Sequence, residues 1–323
     1  MTLIKQPTPE NILLAAKNLK DGALIGLPTE TVYGLAADAE NRDAVRRIYE
    51  VKGRPFDHPL IVHIGSIEYL EKWAVEIPNF ARELVDNFWP GPMTVILKRS
   101  KIAKDFVTGG QETVAVRIPK NDVALEVLQI FHELGGNGLA APSANLFGAV
   151  SPTLADDVIE DLGKSFDANL DFVLDGGKCE IGIESTIINC TSKFPTILRK
   201  GQIQEIDITN LSIKIESENS KNQKIKFSGN MKKHYSPKAI VVNEGPIRNG
   251  DGYIAMRNFP TPKNCIRLAA PKDIQEFGQQ LYSAFRLGDK LGLQRIYIVS
   301  PRNNDFGAAI QDRIERASNA FNV

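Results

Sequence analysis

The sequence predicts an α/β protein: a large twisted sheet with packed helices, followed by a smaller α/β/α domain. Three observations carry that expectation. From Pro9 to Asn210, short apolar runs of strand length alternate with segments whose apolar residues recur at helical spacing. Between about Leu211 and Lys233 the pattern stops, and Glu216-Ser217-Glu218-Asn219-Ser220-Lys221-Asn222-Gln223-Lys224 is polar with no apolar period, which reads as a linker. Alternation resumes at Ala239. The expected organisation is a first domain over residues 1–210, a linker or lid over 211–238 and a second domain over 239–323.

In chain order, Asn11 to Leu19 has helical spacing and Ala23 to Leu27 reads as a strand. That strand opens into Pro28-Thr29-Glu30-Thr31-Val32-Tyr33-Gly34-Leu35, a hydroxyl-rich turn of the kind from which α/β proteins bind ligands. A helix is expected from about Arg42 to Val51, with Asn41 as N-cap and Ala44, Val45, Ile48 and Tyr49 on one face; Gly53 and Pro55 stop it. Leu60 to Ile64 is a strand, Ser66 caps a helix through Trp73, and Pro78 opens another through Phe88. Met93 to Lys98 and Thr113 to Ile118 are strands, Asp122 caps a helix ending near Leu134, and Gly138 to Ala141 is a short buried strand. Strands at Asp171 to Leu174, Ser185 to Asn189 and Thr196 to Arg199 close the first domain. The second has strands at Ala239 to Val242, Tyr253 to Met256, Ile266 to Ala269 and Arg295 to Val299, with helices at Asp273 to Leu287 and Phe306 to Phe321. Strand order is not legible at this level.

Composition narrows the function classes. With 42% hydrophobic and 24% charged residues the chain has the balance of an ordinary globular protein. Thirty-nine basic against thirty-nine acidic side chains argue against holding nucleic acid by bulk charge. Cys179, Cys190 and Cys265 are odd in number and form no CxxC pair, so neither a disulfide framework nor a structural zinc site is expected. No signal-peptide pattern and no membrane-length apolar run is seen, and the expectation is a cytoplasmic protein.

The most informative motif is Lys52-Gly53-Arg54-Pro55 at the exit of the helix that Asn41 caps. Two cations so close together on a chain of zero net charge focus positive potential on one polyphosphate-sized target. The plainer reading is that they complement the helix C-terminus, worth about 0.3–1 kcal/mol each. Both are expected at an exposed helix exit. Ser143 and Asn145 in Ala141-Pro142-Ser143-Ala144-Asn145 sit on a Pro-initiated turn after a buried strand, where a hydroxyl and a carboxamide bond phosphate oxygens, an adenine edge or the turn itself. Arg117 is out of place among Val114, Ala115, Val116 and Ile118, and a charge there must be paired or face a ligand.

Taken with Pro59-Leu60-Ile61-Val62-His63 and Gly182-Ile183-Glu184-Ser185-Thr186-Ile187, these motifs in this order resemble the YrdC/Sua5 family of threonylcarbamoyl-AMP synthases. The resemblance covers residues from about 10 to 205, and Lys233-His234-Tyr235-Ser236-Pro237 with the α/β tail extends it to the two-domain Sua5 form. It implies a nucleotidyltransferase that makes threonylcarbamoyl-AMP and pyrophosphate from L-threonine, bicarbonate and ATP. The product would pass to downstream threonylcarbamoyl-transfer machinery for the t6A37 modification of tRNA. Such chemistry asks for positive charge and positioning, not a protein nucleophile.

The resemblance also implies roles. Lys52 and Arg54 would bind the triphosphate and act as the catalytic cations, with Thr113, Ser143, Asn145, Ser151, Arg199, His234 and Tyr235 completing the ATP site. Arg117 would take the threonine carboxylate, and Thr31, His63, Ala141 and Ser185 would line the amino-acid pocket. His63 or water would accept the ammonium proton, with Glu184 and Glu30 as alternative carboxylates. Mg2+ is expected with ATP, held mainly by phosphates rather than by a protein cage. Tyr235 and His234 end a polar tether and are expected to close over the nucleotide as a lid; the plainer reading is a connector whose Tyr235 packs on the second domain. Two alternatives stand beside this assignment. Hydrogenase-maturation carbamoyltransferases contain a similar carbamoyl-transfer module, but the acylphosphatase and cysteine-rich zinc segments they carry are absent from this sequence. An RNA-binding module without catalysis would use the same concave basic site; neutral composition and the lack of a basic aromatic platform count against it.

Overall fold

The computed structural model describes residues 2–216, 225–229, 234–302 and 306–318. The linker residues 217–224 and 230–233 therefore lie outside the described residues, as does the end of the last expected helix beyond Ser318.

The larger sheet is mixed. Its strands are β1 (Ile4–Lys5), β2 (Ile25–Leu27), β3 (Gly34–Asp38), β4 (Ile61–His63), β5 (Ala74–Val75), β6 (Met93–Arg99), β7 (Thr113–Arg117), β8 (Leu139–Ala140), β9 (Phe172–Leu174), β10 (Thr186–Asn189) and β11 (Thr196–Arg199). They are ordered β1-β9-β2-β3-β8-β4-β7-β6-β10-β11, with β5 pairing β6. The sequence gives no warning of β3. Its run Gly-Leu-Ala-Ala-Asp lacks the β-branched and aromatic residues that mark strands, yet it is buried throughout. Small residues suit it because both faces are covered: Leu35 and Ala37 share a core with Ala44, Val45 and Ile48, while Ala36 shares another with Ala15, Ala16 and Leu19.

The helix Arg42–Lys52 forms as expected and runs one residue further. Asn41 accepts from the Asp43 and Ala44 amides, and Gly53 ends the helix at φ 62°, a left-handed conformation that glycine adopts without a Cβ clash. At Asp122–Glu133 the expected cap is corrected: Asn121 accepts from the Ala124 amide and Asp122 lies in the first turn. The helix Ala155–Leu162 is not among the expected elements, although Ala155, Val158, Ile159 and Leu162 recur at helical spacing; Asp157 secures its start by accepting from the Thr153 and Leu154 amides.

The second sheet, β12 (Ile240–Val242), β13 (Gly252–Ile254), β14 (Ile266–Ala269) and β15 (Arg295–Ile298), is ordered β12-β15-β13-β14 with all pairings parallel. Helices Ile274–Lys290 and Phe306–Ser318 accompany it. Their apolar stripes do not close on their own sheet alone. Phe277, Leu281, Tyr282, Phe285, Ile310 and Ile314 form one core with Val32, Val150, Ile181 and Ile183 from the first part of the chain. Contact there is backbone to backbone: a Cβ on Gly182, whose φ is 81°, would lie 2.5 Å from Gln279 Cα. Arg286 adds a paired contact to Asp161 at 3.1 and 2.7 Å and donates to the Val150 carbonyl at 2.6 Å. Among the described residues no helix is long and apolar enough to cross a membrane.

Candidate active site

The antiparallel pair β2 and β3 makes residues 28–33 a hairpin loop, with Leu27 opposite Gly34. The Thr29 hydroxyl builds the turn, donating to the Val32 carbonyl at 2.6 Å and accepting from the Thr31 and Val32 amides. Neighbouring loops fasten it: Ala144 donates to the Tyr33 carbonyl, Tyr33 to the Pro152 carbonyl and Ile181 to the Glu30 carbonyl. Four stretches distant in sequence thus meet at one point.

Beside this loop the parallel strands β4 and β7 end together, with His63 in register with Arg117. Arg117 is buried and fully engaged. Nη1 donates to Thr31 Oγ1 at 2.9 Å, Nε to the Gly91 carbonyl at 3.2 Å, and Nη2 forms an ion pair with Glu30 at 2.7 Å. That last contact is close but poorly aligned for a hydrogen bond, since neither Arg117 Nη2 nor the Glu30 carboxylate has a hydrogen-bond partner among the described residues. Burial, then the Arg117 charge, push the His63 imidazole down to about 3, so it is neutral at physiological pH. Opposite, Ser185 at the head of β10 pairs with Thr94 Oγ1 at 2.8 Å and accepts from Arg199 Nη2 at 3.1 Å. Arg199 is itself held by the carbonyls of Ser185 and Ser228.

These groups enclose a cavity of about 40 Å³. Of the sequence-predicted residues, Thr31, His63, Arg117, Ala141, Ser143, Glu184 and Ser185 line it, as do Arg199, His234 and Tyr235. His234 stacks edge-on against Tyr235, with ring centroids 4.1 Å apart. Burial, reinforced by Arg54, Lys52 and Arg199 against the opposing Glu184, lowers His234 to about 3. Tyr235 is fully buried at φ 61° and stacks on Tyr282 of the second domain at 5.8 Å. His63 Nδ1, His234 Nδ1 and the Tyr235 hydroxyl have no hydrogen-bond partner among the described residues.

The remaining predicted residues lie outside that wall. Lys52 and Arg54 are not exposed, contrary to the expectation from the sequence: their relative exposures are 2% and 6%. The reason is the loop after Ser143, which folds back over the helix end, where Phe147 donates to the Lys52 carbonyl at 2.8 Å. Lys52 Nζ donates to the carbonyls of Ser143 and Asn145, each at 2.5 Å, and its burial lowers its pKa well below the ordinary lysine value. Arg54 donates to the Pro59 carbonyl at 2.9 Å, lies over the Phe147 ring at 5.6 Å and is pushed down to about 10 by burial. Asn145 bonds the Leu146 and Ala149 carbonyls and keeps Oδ1 without a partner among the described residues. Thr113 lines a narrow adjoining crevice with Phe227 and Lys226; it shares Ile61 and Ser228 with the main cavity. Ser151 donates to Glu184 Oε1 at 2.6 Å and does not reach the cavity.

Glu184 was a candidate base, and its surroundings argue against that role. Burial alone would raise its carboxyl, but Arg313, Arg199 and the Ser151 hydroxyl hold it below the ordinary carboxylate range. Its further partners, Tyr282 at 3.0 and 3.3 Å and Arg313 at 3.0 Å, are residues that sequence reasoning missed. One signal was available. Arg313 falls on the apolar stripe of Ile310, Ile314 and Ala317, where a charge must find a buried partner.

Comparison with known proteins adds to this geometry. A family described as "Telomere recombination" (Sua5, YciO, YrdC) matches residues 17–201, and one described as "Threonylcarbamoyl-AMP synthase, C-terminal domain" matches residues 198–319. The chain is 37% identical to a threonylcarbamoyl-AMP synthase of Pyrococcus abyssi, covering 95% of this chain and 94% of that one. It is 41% identical to the Bacillus subtilis protein of the same name, covering 95% and 92%. A crystal structure of P. abyssi Sua5 complexed with L-threonine matches with a TM-score of 0.83 at 34% identity, over 98% of this chain and 97% of that one.

Proposed function

The chain belongs to the Sua5/YciO/YrdC family, and from that premise we propose that it is a threonylcarbamoyl-AMP synthase of the nucleotidyltransferase class. Its substrates are L-threonine, bicarbonate and ATP; its products are threonylcarbamoyl-AMP and pyrophosphate, the former consumed in t6A37 modification of tRNA. The observation that carries this reading is the cavity that Arg117, Thr31, His63, Ser185 and Arg199 line together, with Lys52 bonded to the Ser143 carbonyl.

In this reading Arg117, already oriented by Thr31 and the Gly91 carbonyl, receives the threonine carboxylate. Thr31 and Ser185 face the amine and hydroxyl. The deprotonated amine attacks bicarbonate, whose C–O bond breaks as water leaves, or attacks CO2 and sheds a proton, giving a carbamate; a carbamate oxygen then attacks the α-phosphorus in line. One P–O bond forms, the bond to the β-phosphate oxygen breaks, and pyrophosphate leaves with the electron pair. His63 is a weak base where it stands, and Glu184 is committed to Arg313, so water remains a suitable proton acceptor.

A cavity of about 40 Å³ is far below the 300–1,000 Å³ of typical small-molecule sites, so in this reading the site opens to admit the nucleotide. Lys52 and Arg54 would exchange carbonyl partners for phosphate oxygens. Magnesium, when bound with the triphosphate, supplies charge neutralisation, and we assign its ligands mainly to phosphate. Among the described residues no group of three or more His, Cys, Asp or Glu side chains is arranged to hold a metal ion.

The test is pyrophosphate release from ATP with threonine and bicarbonate omitted in turn. Release should need both. Release that ignores threonine would overturn the proposal.

A further inference from the structure

Glu184 is the point at which the second domain enters the site. Glu184 lines the cavity one residue before Ser185, and is buried. A buried carboxylate is costly unless every oxygen is matched. Ser151 supplies one donor from the first domain. The others come from the two long helices of the second: Tyr282 from Ile274–Lys290 and Arg313 from Phe306–Ser318.

The same two residues build the seat of Tyr235. Tyr282 stacks on its ring at 5.8 Å, and the Arg313 guanidinium lies over it at 5.3 Å. Arg313 is 0% exposed and also reaches the Glu184 carbonyl at 3.5 Å. One arginine and one tyrosine from the second domain thus touch both Tyr235 and Glu184, the residue before Ser185.

We propose that the second domain is a working part of this active site, with Arg313 and Tyr282 as positioning residues that fix Glu184, and through it Ser185 and Arg199, while seating Tyr235. This rests on the synthase reading above. Its physical content is a competition. If Arg313 is removed, the cation that still acts on the buried Glu184 carboxylate is Arg199, which now orders Ser185 through its backbone carbonyl and hydroxyl. Arg199 drawn towards Glu184 releases Ser185, and the amino-acid pocket loses its shape without losing any residue that lines it.

The experiment is a double-mutant cycle on the full-length chain, read as kcat and KM for threonine and ATP from pyrophosphate release, with folding checked by circular dichroism and thermal unfolding. Arg313→Met should lower kcat/KM by about tenfold or more, within the coupling that neighbours in one network show, and Arg313→Lys should recover part of it. In the Glu184→Gln background, where no buried charge needs the arginine and only its contact with the Tyr235 ring is lost, the same Arg313→Met change should cost several-fold less. Should Arg313→Met fail to fold, Tyr282→Phe keeps the ring stacked on Tyr235 while deleting only the bond to Glu184; it should cost about threefold to tenfold, again lost in the Glu184→Gln background. Wild-type kinetics in a folded Arg313→Met or Tyr282→Phe protein, or equal costs in both backgrounds, would overturn the inference. An inactive wild-type chain would instead overturn the synthase reading itself, and this inference with it.

Discussion

Lys52 Nζ lies 2.5 Å from the carbonyl oxygen of Ser143, a residue 91 positions further along the chain. The same nitrogen is bonded to the Asn145 carbonyl, so one buried cation ties the exit of the helix Arg42–Lys52 to the loop after β8. The pairing joins the two motifs that stand out most in the sequence.

Lys52→Ala should therefore cost stability as well as turnover. Orphaning buried carbonyls costs about 1–3 kcal/mol, which should appear as a lower urea midpoint. Arg54→Ala, which frees the Pro59 carbonyl and uncovers Phe147, should behave alike. Turnover should fall by about 10²–10³ in each, the usual effect of deleting one preorganised donor. Wild-type pyrophosphate release at saturating ATP in either variant would remove these cations from the phosphate site.

Side-chain selectivity should follow the hydroxyls around Arg117. A pocket that pairs a substrate hydroxyl rejects an analogue lacking it, because Thr31 and Ser185 would then face an unmatched methyl; valine should be slower than threonine by about 10² or more. Serine loses only a methyl contact worth about 1 kcal/mol, roughly fivefold. Equal turnover of valine and threonine would show that neither hydroxyl reads the substrate.

Acid stability should depend on His63 and His234. Both are lowered from 6.5 to about 3 by burial, so between those values the unfolded chain binds protons that the folded chain does not. The sign follows: their contribution is fully present above about 6.5 and is lost as pH falls towards 3. Urea unfolding of the ligand-free protein at pH 7, 6 and 5 should show falling midpoints, and the slope should be shallower in His63→Gln. An unchanged slope in that variant would mean that His63 is already charged in the fold.

Gly182→Ala tests the docking of the second domain. The added Cβ would meet backbone atoms of Gln279 and Gly278 at 2.5 and 2.6 Å, at a φ of 81° that disfavours any side chain. Backbone cannot yield as a side chain does, so a loss of about 2 kcal/mol or more is expected, comparable with overpacking of a core. Thermal unfolding measures it. A neutral substitution would mean that the helix Ile274–Lys290 does not rest on this loop.

How much of the protein was legible beforehand depends on the range of the physics involved. Neighbouring residues decide a cap, a helical stripe or a strand end. Hence Asn41 as N-cap, Gly53 as stop and the strands Thr196–Arg199 and Ile266–Ala269 could be read directly. Residue chemistry singled out Arg117 as a charge in need of a partner, and the motif order identified the family.

What the tertiary structure alone decided is long-range pairing. The order β3-β8-β4-β7 places His63 beside Arg117, and no spacing in the sequence encodes that neighbourhood. The burial of Lys52 depends on a loop that returns from residue 147 to cover it. Gly34–Asp38 is a strand because cores on both sides demand small residues, not because those residues favour extension. The shared core of the two domains, with Arg313 and Tyr282 on Glu184, arises from a docking that local periodicity cannot report. Sequence by itself determined the elements and the chemical groups; only the fold determined which groups meet, because desolvation and packing act between residues that the chain keeps far apart.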